Sequence, residues 1–362
     1  MTPMTLPTTP TMPTIRASAP GKLFLLGEYA VLEGAPALLT AVDRRVEVTV
    51  NESRTGAWQV SAPNLGIRDL TLATNGTLPA GLTDQQRAHL RVFDGVRATV
   101  QAAALQAVAR PAQARPSLTV PPLTISIDSS ALSRGGHKLG LGSSAATAVA
   151  LTASLARAWG LSLDQGELFR LAHAAHRTAQ NGAGSGGDVA ASVHGGLIRY
   201  TPGAAVVPLL WPEQLRISAV VTGEGSLTTR LVGRVADYAA ENPAGHRADL
   251  DRLARLARQA ESALANPADF LRLASAYFSA LSELDDHARA GIVSARHREL
   301  HDLARREGGV FKSSGAGGGD VGLAFSYAGE PTERLAGALA RAGAAIVPLG
   351  FFAAGLQGGT AS

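Results

Sequence analysis

In Lys138-Leu-Gly-Leu-Gly-Ser-Ser-Ala-Ala146, two glycines precede a serine pair and a run of helix formers. That order of residue types suits the capture of an anion. Gly140 and Gly142 let successive backbone N–H groups turn toward one acceptor, and a helix opening at Ser143 adds the positive end of its dipole. Ser143 and Ser144 supply hydroxyls for phosphate or Mg2+, Lys138 supplies a full charge, and Leu141 and Ala145 complete the loop. A glycine turn closed by a serine cap accounts for one serine, but for neither the second serine nor the lysine.

Three other segments carry similar chemistry. In Pro20-Gly-Lys-Leu-Phe-Leu-Leu-Gly-Glu-Tyr29, Lys22 and Glu28 stand in an apolar run, where each is costly unless paired or turned to a cleft. A structural Lys–Glu pair and a site both fit this segment. Lys312-Ser-Ser-Gly-Ala-Gly-Gly-Gly-Asp320 is rich in N–H donors and lies between a helix and an apolar strand, so Ser314, Gly315, Ala316 and Gly317 read as a ligand wrap rather than a linker. Asn181-Gly-Ala-Gly-Ser-Gly-Gly-Asp188 places Ser185 and Asp188 at the start of a helical turn, where an Asp is ordinarily a cap. Gly182, Gly184 and Gly187 match the dinucleotide pattern formally, but a helix rather than a strand precedes them, so no nicotinamide is expected.

Lysine is rare in this chain: of 33 basic residues, only Lys22, Lys138 and Lys312 are lysines, and all three lie in glycine-containing segments. A compact ammonium fits a phosphate oxygen in a tight glycine pocket where a planar guanidinium would clash. The 362 residues suit two domains sharing a cleft, and 46% hydrophobic with 17% charged residues is a globular composition. The net charge of +4 is spread without a basic block, which argues against a nucleic-acid role. No apolar run reaches spanning length, so no membrane segment is expected. With no cysteine, disulfides and thiolate chemistry are excluded, and a cytoplasmic location is expected. His173 with His176, and His297 with His301, have helical spacing; Arg298 follows His297 where a zincin needs Glu, so these histidines are read as helix faces.

The elements that must position these residues follow from periodicity. Ile15 to Ala19 and Ala41 to Val50 read as strands, with Gly21 to Gly34 between them and a turn-rich stretch over 51–83. Asp84 to Arg110, Ser143 to Trp159 and Leu163 to Ala179 read as helices, and Leu123 to Ile127 and Leu197 to Tyr200 as strands. Past a Pro- and Gly-rich stretch over 201–213 the helices outnumber the strands. The domains are therefore placed at 15–205 and 206–350, with tails over 1–14 and 351–362.

The order and spacing of these segments over about 16–350 resemble the motifs of the GHMP kinases, and in detail those of the bacterial phosphomevalonate kinases. Gly136-His-Lys-Leu-Gly140 introduces the loop without a proline, the last motif is Lys312-Ser-Ser-Gly-Ala-Gly-Gly-Gly-Asp320, and Gly223-Glu-Gly-Ser-Leu-Thr-Thr-Arg-Leu-Val232 resembles the substrate loop. Departures are Val321 for a frequent cysteine and Val220-Val221 for a Gly-Trp.

The resemblance implies an α+β, two-domain fold: an N-terminal α/β domain with the glycine-rich phosphate loop, and a C-terminal ferredoxin-like α+β domain. It implies ATP and Mg2+ as cofactors, with Lys138 and Gly140 to Ala145 on the nucleotide and Ser144 on the metal. Lys22 would bridge donor and acceptor phosphates and Asp188 would sit beside the acceptor. Glu28, Tyr29, Ser185, Thr228, Thr229 and Ser314 to Gly317 would line the acceptor side. Its partners would be a small anionic substrate and ATP, with the chain a monomer or homodimer. The implied reaction is phosphorylation of phosphomevalonate. Rival readings are mevalonate kinase or another GHMP kinase, the ATP-dependent diphosphomevalonate decarboxylase, and a non-catalytic ligand-sensing relative.

Overall fold

The strand that opens at Ile15 does not stop at Ala19, where the sequence pattern places its end: β1 runs Ile15–Leu26. Pro20 brings no N–H to a ladder, and the pairing of β1 with β2 (Ala37–Glu52) shifts register between Pro20 and Gly21. The irregularity absorbs the proline and lets the strand carry Lys22 onward. From Ala19 every residue of β1 is buried, so both faces of this half are covered. The structure is a computed structural model. It describes residues 12–73, 75–108, 121–134, 137–182, 184–222, 228–319 and 321–360, without the side chains of 108, 134, 137, 138, 228, 229, 359 and 360.

The expected turn-rich stretch after β2 contains β3 (Gln59–Ala62) and β4 (Ile67–Thr71), followed by α1 (Asp84–Val108) and β5 (Leu123–Asp128). The two-residue strands β6 (Ser133–Arg134) and β7 (His137–Lys138) pair with each other just ahead of the loop. Helices α2 (Ser143–Ala158), α3 (Gln165–Ala179) and α4 (Gly187–His194) come next, then β8 (Leu197–Tyr200) and β9 (Val207–Leu209). Alanines dominate the buried face of α2, so that helix sits close on β1 and β2 while α1 and α3 pack against it. Of the apolar residues whose helical spacing marks one face of α1, Leu90, Phe93, Val96 and Val100 are buried and Val92 is partly buried against the core.

The second lobe contains β10 (Leu215–Val221), α5 (Thr228–Glu241), α6 (Pro243–Arg258), α7 (Ala260–Ala263), α8 (Pro267–Ala288) and α9 (Ala295–Arg306). It continues through β11 (Val310–Ser313), β12 (Val321–Tyr327), α10 (Glu330–Arg341) and β13 (Ala345–Val347). Its antiparallel order, β11-β12-β10-β13, is that of a ferredoxin-like sheet. The first part of the last glycine segment is thus itself a strand, β11.

The tail expected over 351–362 is not a tail in its described part. Phe351 bridges to Val42, Ala354 bridges to Gly195, and β14 (Gln357–Thr360) pairs antiparallel with β1. Phe351 and Leu356 pack on the core, and β14 satisfies the outer backbone groups of β1. The first sheet is consequently ordered β14-β1-β2-β5-β3-β4, with β8 and β9 alongside β2. The chain crosses between lobes twice, at 209–215 and at 347–357. Trp211 of one crossing stacks on Phe352 of the other at 5.8 Å between ring centroids.

Candidate active site

Lys22 is 7% exposed, on the second half of β1. Its backbone N–H donates to the carbonyl of Leu141 at 2.8 Å, which ties the strand to the glycine loop. Its ammonium sits 5.1 Å from the centroid of the Phe24 ring. Gly142 has φ 76°, and a Cβ there would lie 2.7 Å from Lys22 Cε, so the loop needs glycine both for its turn and to let the lysine pass. After Gly142 the chain enters α2 with Ser143 and Ser144 in its first turn and the fully buried Ala145 beneath them.

The last glycine segment meets the same strand from the other lobe. The Ser314 hydroxyl accepts from the Phe24 N–H at 3.0 Å and donates to the Phe24 carbonyl at 2.9 Å. Tyr29 donates its hydroxyl to the carbonyl of Ala316 at 2.7 Å, and burial pushes its phenol well up from the ordinary value. A Cβ on Gly315 would come 3.8 Å from Lys22 Nζ. Gly317 packs its Cα against Ile292, whose carbonyl accepts from the Gly318 N–H at 2.9 Å. That part of the wall is set by Asp285 of α8, which accepts from the N–H groups of Gly291, Ile292 and Val293 at 2.6, 2.8 and 2.9 Å.

Asp188 lies in the first turn of α4, and Ser192 of the same helix donates to the Pro20 carbonyl at 2.9 Å, fixing the helix beside Lys22. Burial works to raise the Asp188 carboxyl; His176, then Lys22, then the Val189 N–H outweigh it and hold the group below the usual carboxylate range. Ser185 is held on both sides: its carbonyl accepts from the Tyr200 hydroxyl at 2.5 Å and its hydroxyl accepts from the Gly187 N–H at 3.2 Å. Burial, and then the Asp188 charge, push the Tyr200 phenol up to about 12.

Two expectations change. Glu28, placed by resemblance on the acceptor, is 3% exposed and forms an ion pair with Lys312, itself fully buried. Burial raises the Glu28 carboxyl and lowers the Lys312 ammonium, while each partner opposes the shift of the other. A Lys–Glu pair does exist, but its lysine comes from β11 rather than from Lys22. Lys312 is thus spent on Glu28 instead of a phosphate, because the strand pairing that places it points it into the interface between lobes. Tyr277 of α8 reinforces the junction by donating its hydroxyl to the Glu28 carbonyl at 2.8 Å.

His176, read from sequence as a helix face, is 2% exposed, and its Nε2 lies 3.1 Å from the Ser144 hydroxyl. Gln180 one turn on reaches the same nitrogen at 3.2 Å. The four-residue spacing of these polar groups on an otherwise apolar face was the available signal. The side chains of Lys138, Thr228 and Thr229, and residues 223–227, lie outside the described residues.

Lys22, Gly140 to Ala145, Asp188 and Ser314 to Gly317 therefore occupy one junction between the lobes. A cation, a loop of N–H donors with two hydroxyls, and a carboxylate kept ionised together suit transfer of an anionic group. Comparison with known proteins agrees. Residues 99–196 match the model of the GHMP kinases N terminal domain. The phosphomevalonate kinase of a Streptomyces species is 35% identical over 345 residues, covering 86% of this chain and 90% of that one. The mevalonate kinase of Thermococcus sibiricus is 30% identical over 338 residues, covering 91% and 93%. A solved Streptococcus pneumoniae phosphomevalonate kinase in complex with phosphomevalonate and AMPPNP shares the fold, with a TM-score of 0.74 at 21% identity over 93% of this chain and 99% of that one. Fold alone would leave membership open, but a relative 35% identical along most of both chains closes the question: this chain belongs to the GHMP kinase family of small-molecule phosphotransferases.

Proposed function

We propose that the protein transfers the γ-phosphoryl group of ATP to the phosphate of phosphomevalonate, giving diphosphomevalonate in the mevalonate route to isoprenoids. The observation that carries this reading is the position of Lys22, hydrogen-bonded through its backbone to the glycine loop and flanked by Gly315 and by the helix of Asp188. An acceptor phosphate oxygen attacks the γ-phosphorus as its bond to the ADP oxygen breaks, and ADP leaves. Such transfers need positioning and charge stabilisation more than covalent help. Lys22 sits between donor and acceptor oxygens, the loop N–H groups and Ser143 hold the nucleotide phosphates, and Asp188 orients the acceptor. Ser185, Thr228, Thr229 and the Ser314 to Gly317 wrap border the acceptor.

No group of three or more His, Cys, Asp or Glu is clustered for a metal among the described residues. The hydroxyl residues Ser143 and Ser144 in the first turn of α2 fit Mg2+ arriving with the nucleotide, since this ion keeps its waters and phosphate ligands and takes few from the protein. Ser144 is the residue that would contact it, and the ion would neutralise charge on the phosphate oxygens.

Two points favour the phosphate acceptor over an alcohol. A phosphate monoester has a second pKa of about 6, so its oxygen is a nucleophile at neutral pH without a base. The relative that is 35% identical along most of both chains is itself a phosphomevalonate kinase. The archaeal mevalonate kinase relatives support mevalonate as the second reading.

ADP release with mevalonate, phosphomevalonate, homoserine and galactose offered separately decides between them. The expected kcat/KM for phosphomevalonate exceeds the others by about 10²-fold or more, and preference for mevalonate overturns the proposal. CO2 release from diphosphomevalonate would instead identify a decarboxylase. Gly142→Ala should lower kcat by about 10²-fold, since the new methyl displaces Lys22 and strains the turn; steady-state kinetics beside a thermal melt checks that the loss is not one of folding.

A further inference from the structure

Helix α3 contributes one buried polar side chain to the nucleotide side of the site. The imidazole of His176 is enclosed, and its Nε2 meets two groups: the Ser144 hydroxyl at 3.1 Å and the Gln180 amide at 3.2 Å. A buried ring nitrogen aimed at a hydroxyl in the first turn of α2 is costly to place unless the contact is made. The hydroxyl is also the less constrained partner. A serine rotor has three staggered positions, and only some present a lone pair to a phosphate or its metal.

Resting on the kinase reading above, we propose that His176, braced by Gln180, is a positioning residue that locks the Ser144 hydroxyl in the rotamer required by the ATP polyphosphate. The Gln180 amide N–H donates to Nε2, which makes that nitrogen an acceptor, and the Ser144 hydroxyl shares the nitrogen's lone pair as second donor, so both hydroxyl lone pairs are left for the nucleotide side. The other tautomer would occupy a lone pair and work against the same task. His176 itself touches neither substrate.

A double-mutant cycle on nucleotide binding tests this without requiring turnover. Calorimetric titration of ATP, with Mg2+ and with EDTA, would be run on wild type, His176→Phe, Ser144→Ala and the double variant. His176→Phe keeps the ring volume but loses the acceptor. It should weaken MgATP about tenfold in the wild-type background, as expected for one lost buried hydrogen bond, and less than about threefold in the Ser144→Ala background. Gln180→Leu, at a partly exposed position, should show the same dependence on Ser144 with a smaller loss and serves if the Phe variant does not fold. His176→Gln, whose amide reaches near the Nε2 position, should restore most of the affinity. An unchanged affinity in the single variant, or a loss of threefold or more persisting without the Ser144 hydroxyl, overturns the proposal. If no acceptor is phosphorylated while the cycle still shows coupling, the choice of reaction fails and the positioning role stands.

Discussion

Lys22→Met is expected to lower the rate of the chemical step by about 10³-fold, while Asp188→Asn lowers it by about tenfold. Removing one preorganised donor from developing charge typically costs 10²–10³, and a full cation at a transferring phosphoryl group costs about 10³–10⁵. Lys22 is both, held by its own backbone to the loop at Leu141 and within the field that keeps Asp188 ionised. Asn keeps the shape of Asp188 and a hydrogen-bonding oxygen, so a residue that only orients loses little. Were an alcohol the acceptor, its proton would have to go somewhere and Asp188 would be the indispensable group. Single-turnover rates in rapid quench separate the cases: a greater loss in Asp188→Asn than in Lys22→Met counts against the phosphate acceptor. The pH profile gives a second reading. A phosphate acceptor becomes a monoanion below about pH 6, so kcat/KM should fall as pH drops through that value, and the acid limb should survive in Asp188→Asn.

The second large effect is on stability. Lys312→Met should destabilise the protein by about 3–5 kcal/mol, because it strands a buried carboxylate whose only ionic partner among the described residues is that ammonium. Glu28→Gln in the same chain should recover most of the loss, since two neutral groups in the same space owe no ionic desolvation. Thermal midpoints of the wild type, the single and the double variant measure this. A midpoint within a degree of wild type in Lys312→Met would show that the pair does not carry the junction. Glu28 lies two residues past the strand of Lys22, and Lys312 lies two residues before Ser314. The folded fraction of Lys312→Met should therefore also turn over more slowly, and the double variant should regain stability sooner than rate.

How much of this was legible beforehand depended on the range of the interactions. Local patterns were readable: β8 lies at Leu197–Tyr200 as periodicity puts it, β5 at Leu123–Asp128 and α2 at Ser143–Ala158 match to within a residue, and α1 at Asp84–Val108 and α3 at Gln165–Ala179 match to within two. The glycine loop at the start of α2 was equally plain, because its chemistry is written in consecutive residues. Pairing across 284 positions was not. Lys312 looks like a phosphate ligand for the same reason Lys22 does, and only the neighbour it meets on folding distinguishes a clamp between lobes from a ligand of the substrate. Tyr277 and Asp285 gave no signal at all, since a helical Tyr and Asp are unremarkable until the backbone groups they serve are in place. His176 was visible but underweighted: helical histidines are common, and the serine that makes this one matter lies 32 residues away. The last strand escaped notice because Gln357-Gly-Gly-Thr360 has almost no side chain to read and pairs through backbone alone.

The Trp211–Phe352 stack has a mechanical meaning. Because the polypeptide passes between the lobes twice and the two passages touch through these rings, the lobes are pinned along a line rather than tethered at a point. Sliding and free rotation are removed, and swinging about that line is what remains. On the swinging edge, separation must break the Ser314–Phe24, Tyr29–Ala316 and Lys312–Glu28 links. An opening about that line would therefore part these contacts together, so the junction opens or closes as one unit.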